Sequence, residues 1–120
     1  MTTLIIGASS NPQRYANHAL KYLRKQDIKV YAIGLRPDIV DDVAIQTGFP
    51  ELGNIHTVLL YIGPDKQKEY YNYIISLQPK RLIFNPGTVN SGLINLAEKK
   101  GIKVVVNCAL TMMYDLTYFE

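Results

Sequence analysis

Short apolar runs alternate with amphipathic stretches along the whole chain. Continuous apolar runs, typical of strands buried on both faces, occur at 3–6, 29–33, 57–62, 81–84 and 102–106. Between them apolar residues recur at helical spacing, and the clearest stripe consists of Ala16, Ala19, Leu20 and Leu23. This alternation is typical of right-handed β-α-β units, so we expect a parallel sheet with helices on both faces.

The predicted fold class is α/β, with residues 1–120 forming one domain. We expect a three-layer, Rossmann-like, doubly wound parallel sheet of about five strands. The pattern is weakest from Leu35 to Ile55, where Val43–Ile45 fits only a short strand. Asn11 fits the N-cap and Pro12 the first position of the first helix. A stripe of Ala109, Met112, Met113 and Leu116 predicts the last helix.

Composition removes several classes of function. One cysteine excludes a disulfide framework and a cysteine-based zinc cluster, and it fits a reducing compartment, so we expect the cytoplasm. No apolar run approaches the roughly 20 residues of a membrane span. The net charge of +3 is spread along the chain rather than clustered, which argues against a nucleic-acid partner and suits a small anionic ligand.

The loop after the first strand carries the clearest candidate chemistry. Ligands of doubly wound sheets bind at the carboxyl ends of the strands, where the strand order reverses. Gly7 lets the chain turn and lets a ligand approach the backbone. Free N–H groups at a helix start attract anions, Ser9 and Ser10 add hydroxyls, and Arg14 adds a planar cation. The plainer alternative is a well-capped turn between a strand and a helix.

This loop is not the dinucleotide fingerprint. The pattern Gly-x-Gly-x-x-Gly would need glycine where Ser9 and Pro12 stand. The acidic residue that usually follows the second strand and binds the NAD ribose is also missing, because Gly34-Leu35-Arg36 occupies that place. Arg36 would suit a phosphate on the ribose, as in NADP or in the 3′-phosphate of coenzyme A. A solvated loop arginine is the alternative.

With these motifs the chain resembles the small CoA-binding domain proteins, relatives of the nucleotide-binding domain of succinyl-CoA synthetase. The family's opening pattern Gly-Ala-Ser-x-x-Pro-x-Arg is matched throughout by residues 7–14. Three further stretches, 49–55, 84–87 and 101–108, resemble other patterns of the family. These are Tyr-Pro-Ser-Leu-x-x-Ile, Trp-Gln-x-Gly and the closing Gly-x-x-Val-Val-x-x-x-Cys, the last with its spacing one residue shorter here. The resemblance covers nearly the whole chain.

The resemblance implies a module that binds coenzyme A, or less favourably NADP, without catalytic residues of its own. Donors to the pyrophosphate would come from Gly7, Ala8, Ser9, Ser10 and Asn11. Arg14 would pair with a phosphate and Arg36 with the ribose phosphate. The adenine or pantetheine side would be lined by Pro64, Asn85 and Gly87.

Two other functions stay open at this stage. One is an acyl-CoA-handling or NADP-dependent enzyme subunit that needs a partner chain, because no nucleophile, base and orienting group stand out. The other is an interaction protein that has lost its ligand. His18 and His56 have no companion ligands for a metal site, and Cys108 fits an ordinary half-buried cysteine as well as a functional thiol. Two aromatic clusters suit a homodimer surface, because only some of their members are needed to pack on the sheet. They are Tyr70, Tyr71 and Tyr73 on one helix and Tyr114, Tyr118 and Phe119 on another.

Overall fold

A computed structural model describes all residues from Met1 to Glu120 and places a seven-stranded sheet at the centre of the molecule. The strands are β1 (Thr3–Ala8), β2 (Val30–Gly34), β3 (Asp38–Val40), β4 (Val43–Gln46), β5 (Thr57–Leu60), β6 (Arg81–Phe84) and β7 (Lys103–Val106). All neighbouring strands are parallel except β3 and β4, which form an antiparallel hairpin. The sheet is therefore mostly parallel, as the sequence pattern predicts.

Helices cover both faces of this sheet. They are α1 (Tyr15–Lys25), α2 (Pro64–Gln67), α3 (Tyr71–Leu77), α4 (Ser91–Lys99) and α5 (Ala109–Tyr114), with 3₁₀ turns at Lys68–Tyr70 and Thr117–Phe119. One core lies beneath α1 and α5, where Leu20 and Met113 pack on Ile5 and Ile83. The other core lies beneath α3 and α4 on the opposite face. The alternation of β1 side chains between the two cores gives the three-layer arrangement.

The order of the strands reverses at the centre of the sheet. The order is β3-β4-β2-β1-β5-β6-β7, so the chain builds outward from β1 on one side and then returns to build outward on the other. β1 consequently pairs with β2 and with β5, and Ile5 lies between Ala32 and Leu59. The loops after β1 and β5 must diverge to opposite faces at this point, which opens a crevice at the carboxyl ends of the strands.

The strand count differs from the predicted number. The sheet has seven strands rather than about five because the weakly patterned segment after β2 folds as the β3–β4 hairpin on the sheet edge. Asp41, in the turn, adopts a φ of +52°, a conformation that Asp tolerates better than most residues. The three residues of β3 are too few to produce a periodic signal.

The predicted start of α1 is wrong by three residues. The helix begins at Tyr15, because Asn11 and Pro12 belong to a separate turn in which the Gln13 N–H donates to Asn11 Oδ1 at 3.0 Å. An Asx turn of this kind competes with helix formation for the backbone N–H groups. Asn90, by contrast, does cap α4, since its Oδ1 accepts from the N–H groups of Gly92 and Leu93.

The predicted stripe of the last helix also ends early. Ala109, Met112 and Met113 are buried, but Leu116 is 62% exposed and adopts a φ of +70° beyond the end of α5. The reversal at Leu116 turns the chain back, so that Tyr118 becomes the buried residue and its hydroxyl lies 2.6 Å from Thr3 Oγ1.

Candidate functional site

An open cleft of 840 Å³ lies at the carboxyl ends of β1, β2 and β5, where the strand order reverses. It brings together most of the residues that the sequence singles out. Those lining it are Gly7, Ala8, Ser9, Ser10, Asn11, Arg14 and Arg36. Residues from two separate loops, distant in sequence, thus share one surface.

Two glycines allow the walls of the cleft to approach one another. Gly7 has a φ of +96°, and a Cβ at this position would lie 2.8 Å from the carbonyl carbon of Tyr61. At Gly34 a Cβ would lie 2.5 Å from the carbonyl oxygen of Ala8. Any side chain at either position would force β1 away from β5 or β2.

The β1–α1 loop holds its own shape and leaves backbone donors over. The Ser9 hydroxyl accepts from the Asn11 N–H at 3.0 Å, and the buried Asn17 amide donates to the Ser9 carbonyl at 3.0 Å. No hydrogen bond within the chain uses the backbone N–H groups of Ser9, Ser10, Tyr15 and Ala16. Unpaired N–H groups along a cleft wall, beside the start of an eleven-residue helix, suit an anion.

Positive charge surrounds these donors. Arg14, Arg36 and Lys66 all line the cleft, and all three are exposed. None of them forms an ion pair, since the salt bridge in the molecule joins Arg24 to Asp42. The cleft thus combines backbone donors with cations free to pair with a phosphate.

Three of the predicted site residues lie outside the lining. Gly63 and Pro86 line the cleft where Pro64, Asn85 and Gly87 were predicted to do so. Asn85 is 3% exposed, and its amide donates to the Leu60 carbonyl while its Oδ1 accepts from the Ala109 N–H. This side chain ties β5 to the start of α5, so its structural contacts occupy both of its polar atoms.

Sequence reasoning missed several residues that do line the cleft, among them Asp38, Tyr61, Lys66 and Tyr70. Tyr61 lies inside the apolar run at 57–62, so the pattern predicts it as part of the strand, whereas β5 ends at Leu60 and leaves Tyr61 in the loop that follows. The side chains of Lys66 and Tyr70 depend on an irregular α2–3₁₀–α3 segment. Regular helical periodicity does not place them.

Tyr61 carries an orphaned polar atom at this site. Its hydroxyl is buried and has no hydrogen-bond partner. Burial raises the pKa of Tyr61 far above its ordinary value, and the nearby Cys108 adds to the effect. The hydroxyl is therefore protonated and available to donate.

Comparison with known families identifies the family to which the chain belongs. The family model described as a CoA binding domain matches residues 1–114 of the chain. The chain belongs to the CoA binding domain family. The lining residues fit such a ligand, because unpaired N–H groups and free cations are what its phosphates need.

Solved structures resemble this CoA binding domain closely. A crystal structure described as an uncharacterized protein is 39% identical, with a TM-score of 0.93 over 97% of this chain and 96% of that one. A hypothetical protein from Pyrococcus horikoshii OT3 is 26% identical, with a TM-score of 0.79 over 88% and 75% of the two chains. A Thermus thermophilus protein at 18% identity and a TM-score of 0.87, covering 96% and 89%, shares the fold. No curated protein sequence matches the chain.

Other features of the CoA binding domain lie outside the cleft. Burial raises the pKa of the Cys108 thiol, but hydrogen bonds from Thr111 and Leu110 outweigh it and hold the pKa below its ordinary value. Cys108 does not line the cleft. No group of three or more histidine, cysteine or acidic side chains is placed to hold a metal ion. None of the helices has the length and apolar character needed to cross a bilayer.

Proposed function

We propose that the chain is a binding module for coenzyme A and that the cleft at the β1/β5 reversal receives the nucleotide end of the ligand. One observation carries the proposal. In a member of the CoA binding domain family, unpaired backbone N–H groups and three unpaired cations line the same cleft. A phosphate-rich ligand satisfies both sets of groups at once.

The loop from Gly7 to Asn11 would hold the pyrophosphate. The N–H groups of Ser9 and Ser10 supply donors from the loop, and those of Tyr15 and Ala16 supply donors from the helix start. The guanidinium of Arg14, at the N-cap position of α1, adds a planar pair of donors. Gly7 has no side chain, so the pyrophosphate can approach the backbone closely.

Arg36 would bind the ribose phosphate. It follows β2, on the side of the cleft away from the reversal, and it has no partner within the chain. The opposite wall, formed by Ile62, Gly63, Lys66 and Tyr70, is more apolar and would accompany the pantetheine arm. These assignments replace Pro64, Asn85 and Gly87 on that side by neighbouring residues.

Titration calorimetry with coenzyme A, 3′-dephospho-CoA, NADP and ATP tests the proposal. We expect coenzyme A to bind more tightly than the other three, and its 3′-phosphate to account for the difference from dephospho-CoA. Arg14→Gln should weaken binding of coenzyme A about tenfold, the effect of losing one charge-assisted contact. Arg36→Gln should weaken the binding of coenzyme A while leaving the affinity for dephospho-CoA nearly unchanged.

Lys25→Gln provides the matched control. Lys25 lies in the last turn of α1, is exposed and does not line the cleft, so its loss changes the net charge by the same amount. If Arg14→Gln and Lys25→Gln weaken binding equally, only general charge attracts the ligand and the proposed site is wrong. Failure of coenzyme A to bind the unaltered protein at millimolar concentration overturns the proposal altogether.

A further inference from the structure

One carboxylate stands among the cations of the cleft. Asp38, the first residue of β3, lines the cleft together with Ser10 and Arg36. The side chain is exposed, so its presence there is not a consequence of packing. A negative charge in a cleft for phosphates weakens their binding unless it contacts a different part of the ligand.

The fold brings Asp38 back to the cleft. β2 ends at Gly34, the chain turns at Pro37, and β3 returns antiparallel to β4 with Asp38 opposite Ile45. Because Gly34 packs directly against the carbonyl of Ala8, the turn after β2 and the loop after β1 lie close together. Asp38 thus lies next to the loop that offers the phosphate donors.

Neighbouring groups fix the carboxylate in its ionised form. The nearby Ser10 side chain, and then the Ile39 N–H, which donates to Asp38 Oδ1 at 2.8 Å, lower the pKa of Asp38. Burial opposes this shift, and the charge of Arg36 lowers the pKa by a smaller amount. An ionised carboxylate only accepts hydrogen bonds. Its partner on the ligand must therefore be a donor.

The donors nearest to the phosphates of a nucleotide are the hydroxyls of its ribose. In doubly wound folds an acidic residue after the second strand commonly accepts from a ribose hydroxyl. Here that position holds Leu35 and Arg36, and Asp38 reaches the same side of the cleft from the start of the next strand.

We propose that Asp38 accepts a hydrogen bond from the free ribose hydroxyl of the ligand and, with Arg36, selects a nucleotide whose ribose carries one phosphate and one hydroxyl. The inference rests on the proposed function and adds a specificity-determining residue to it.

Two small ligands isolate the contact. Adenosine 3′,5′-bisphosphate reproduces the nucleotide end of coenzyme A, and its 2′-deoxy analogue lacks only the hydroxyl. Calorimetric competition against coenzyme A should give the unaltered protein about a tenfold preference for the ribose form, the effect of one hydrogen bond to a charged group. Asp38→Asn should reduce this preference to threefold or less, and Asp38→Ala should abolish it.

Asp41→Asn is the matched control. It removes the same charge from the same hairpin, it lies outside the cleft lining, and Asn tolerates the positive φ of Asp41. This variant should keep the tenfold preference. Equal binding of the two bisphosphates to the unaltered protein overturns the inference, as does an Asp38→Asn variant that binds both more tightly or both more weakly by the same factor. These results leave the coenzyme A proposal intact, whereas absence of coenzyme A binding overturns both.

Discussion

Arginine stands at both ends of the parallel sheet, and its surroundings differ between the two. At the amino end Arg81 is 6% exposed, donates to Thr57 Oγ1 at 3.0 Å and to the Tyr118 carbonyl at 3.1 Å, and lies 4.4 Å from the Tyr118 ring centre. At the carboxyl end Arg14 and Arg36 are exposed, and their side chains have no partner within the chain. The amino end satisfies its cation internally and is structural. The carboxyl end leaves donors for a ligand.

Gly7→Ala should produce the largest effect and tests how strictly the cleft constrains the backbone. A methyl group would meet the Tyr61 carbonyl carbon at 2.8 Å in a conformation that disfavours side chains, so we expect a loss of roughly 4 kcal/mol of unfolding free energy. Urea denaturation measures it. Gly63→Ala is the control, because Gly63 also lines the cleft but has an ordinary φ of −69° and open space around its Cα. Similar losses for the two variants would contradict the argument from close approach.

Arg81→Ala separates structure from binding. It removes the two hydrogen bonds to oxygen, a weaker one to the Met1 sulfur and the contact with the Tyr118 ring, and it leaves a cavity, so we expect a loss of about 3 kcal/mol of unfolding free energy. At a temperature where the variant is folded, its affinity for coenzyme A should equal that of the unaltered protein. A parallel loss of affinity would mean that the two ends of the sheet are not independent.

Lys66→Gln tests the opposite wall of the cleft. Lys66 lines the cleft on the wall proposed for the pantetheine arm and is exposed, so its attraction to the phosphates acts at longer range and is partly screened by solvent. We expect coenzyme A to bind about threefold more weakly at low salt, by calorimetry. Lys68→Gln, two residues further on and outside the lining, should leave the affinity unchanged. A larger loss of affinity in Lys68→Gln than in Lys66→Gln would mean that the ligand contacts the 3₁₀ turn rather than the proposed wall of the cleft.

His56 gives the smallest effect and concerns the amino end. Burial, and then the charges of Arg81, the N-terminus and Lys80, lower the pKa of His56 below its ordinary value of 6.5. The unfolded chain therefore binds the proton more readily, and the stability of the fold falls as the pH drops below 6.5. His56→Gln should flatten this part of the stability profile in thermal denaturation between pH 5 and about 7. An unchanged slope in His56→Gln would contradict the role of the histidine.

The sequence predicted the framework of the fold well and its irregular parts poorly. β1 and β6 follow from continuous apolar runs, which are local signals. The start of α1 depends on a local turn at Asn11 that competes with the helix, whereas the exposure of Leu116 depends on tertiary contacts such as the Thr3–Tyr118 hydrogen bond. Such contacts join residues far apart in the chain, and periodicity carries no information about them.

In the candidate site, too, the residues that depend on local signals were predictable and those that depend on long-range contacts were not. The loop from Gly7 to Arg14 was predictable because its residues are contiguous and follow a buried strand. Asp38 was not, since it enters the cleft only through a three-residue strand that returns beside β4. Asn85 is the opposite case, because it follows a strand, as a site residue would, but makes structural contacts instead. Its amide N–H donates to the Leu60 carbonyl, and its Oδ1 accepts from the Ala109 N–H.

Because of the β3–β4 hairpin, the two edge strands of the sheet, β3 and β7, differ in how readily they can pair with a strand of another molecule. The border at β3 is three residues long, is preceded by Pro37 and carries the charges of Asp38 and Asp41 nearby, all of which discourage a foreign strand from pairing. At the other border, β7 pairs with β6 on one side only, so its outer edge has no neighbouring strand, and Val106 is 58% exposed. Under partially denaturing conditions we expect strands of other molecules to pair first with β7. We expect Val106→Lys to slow this aggregation.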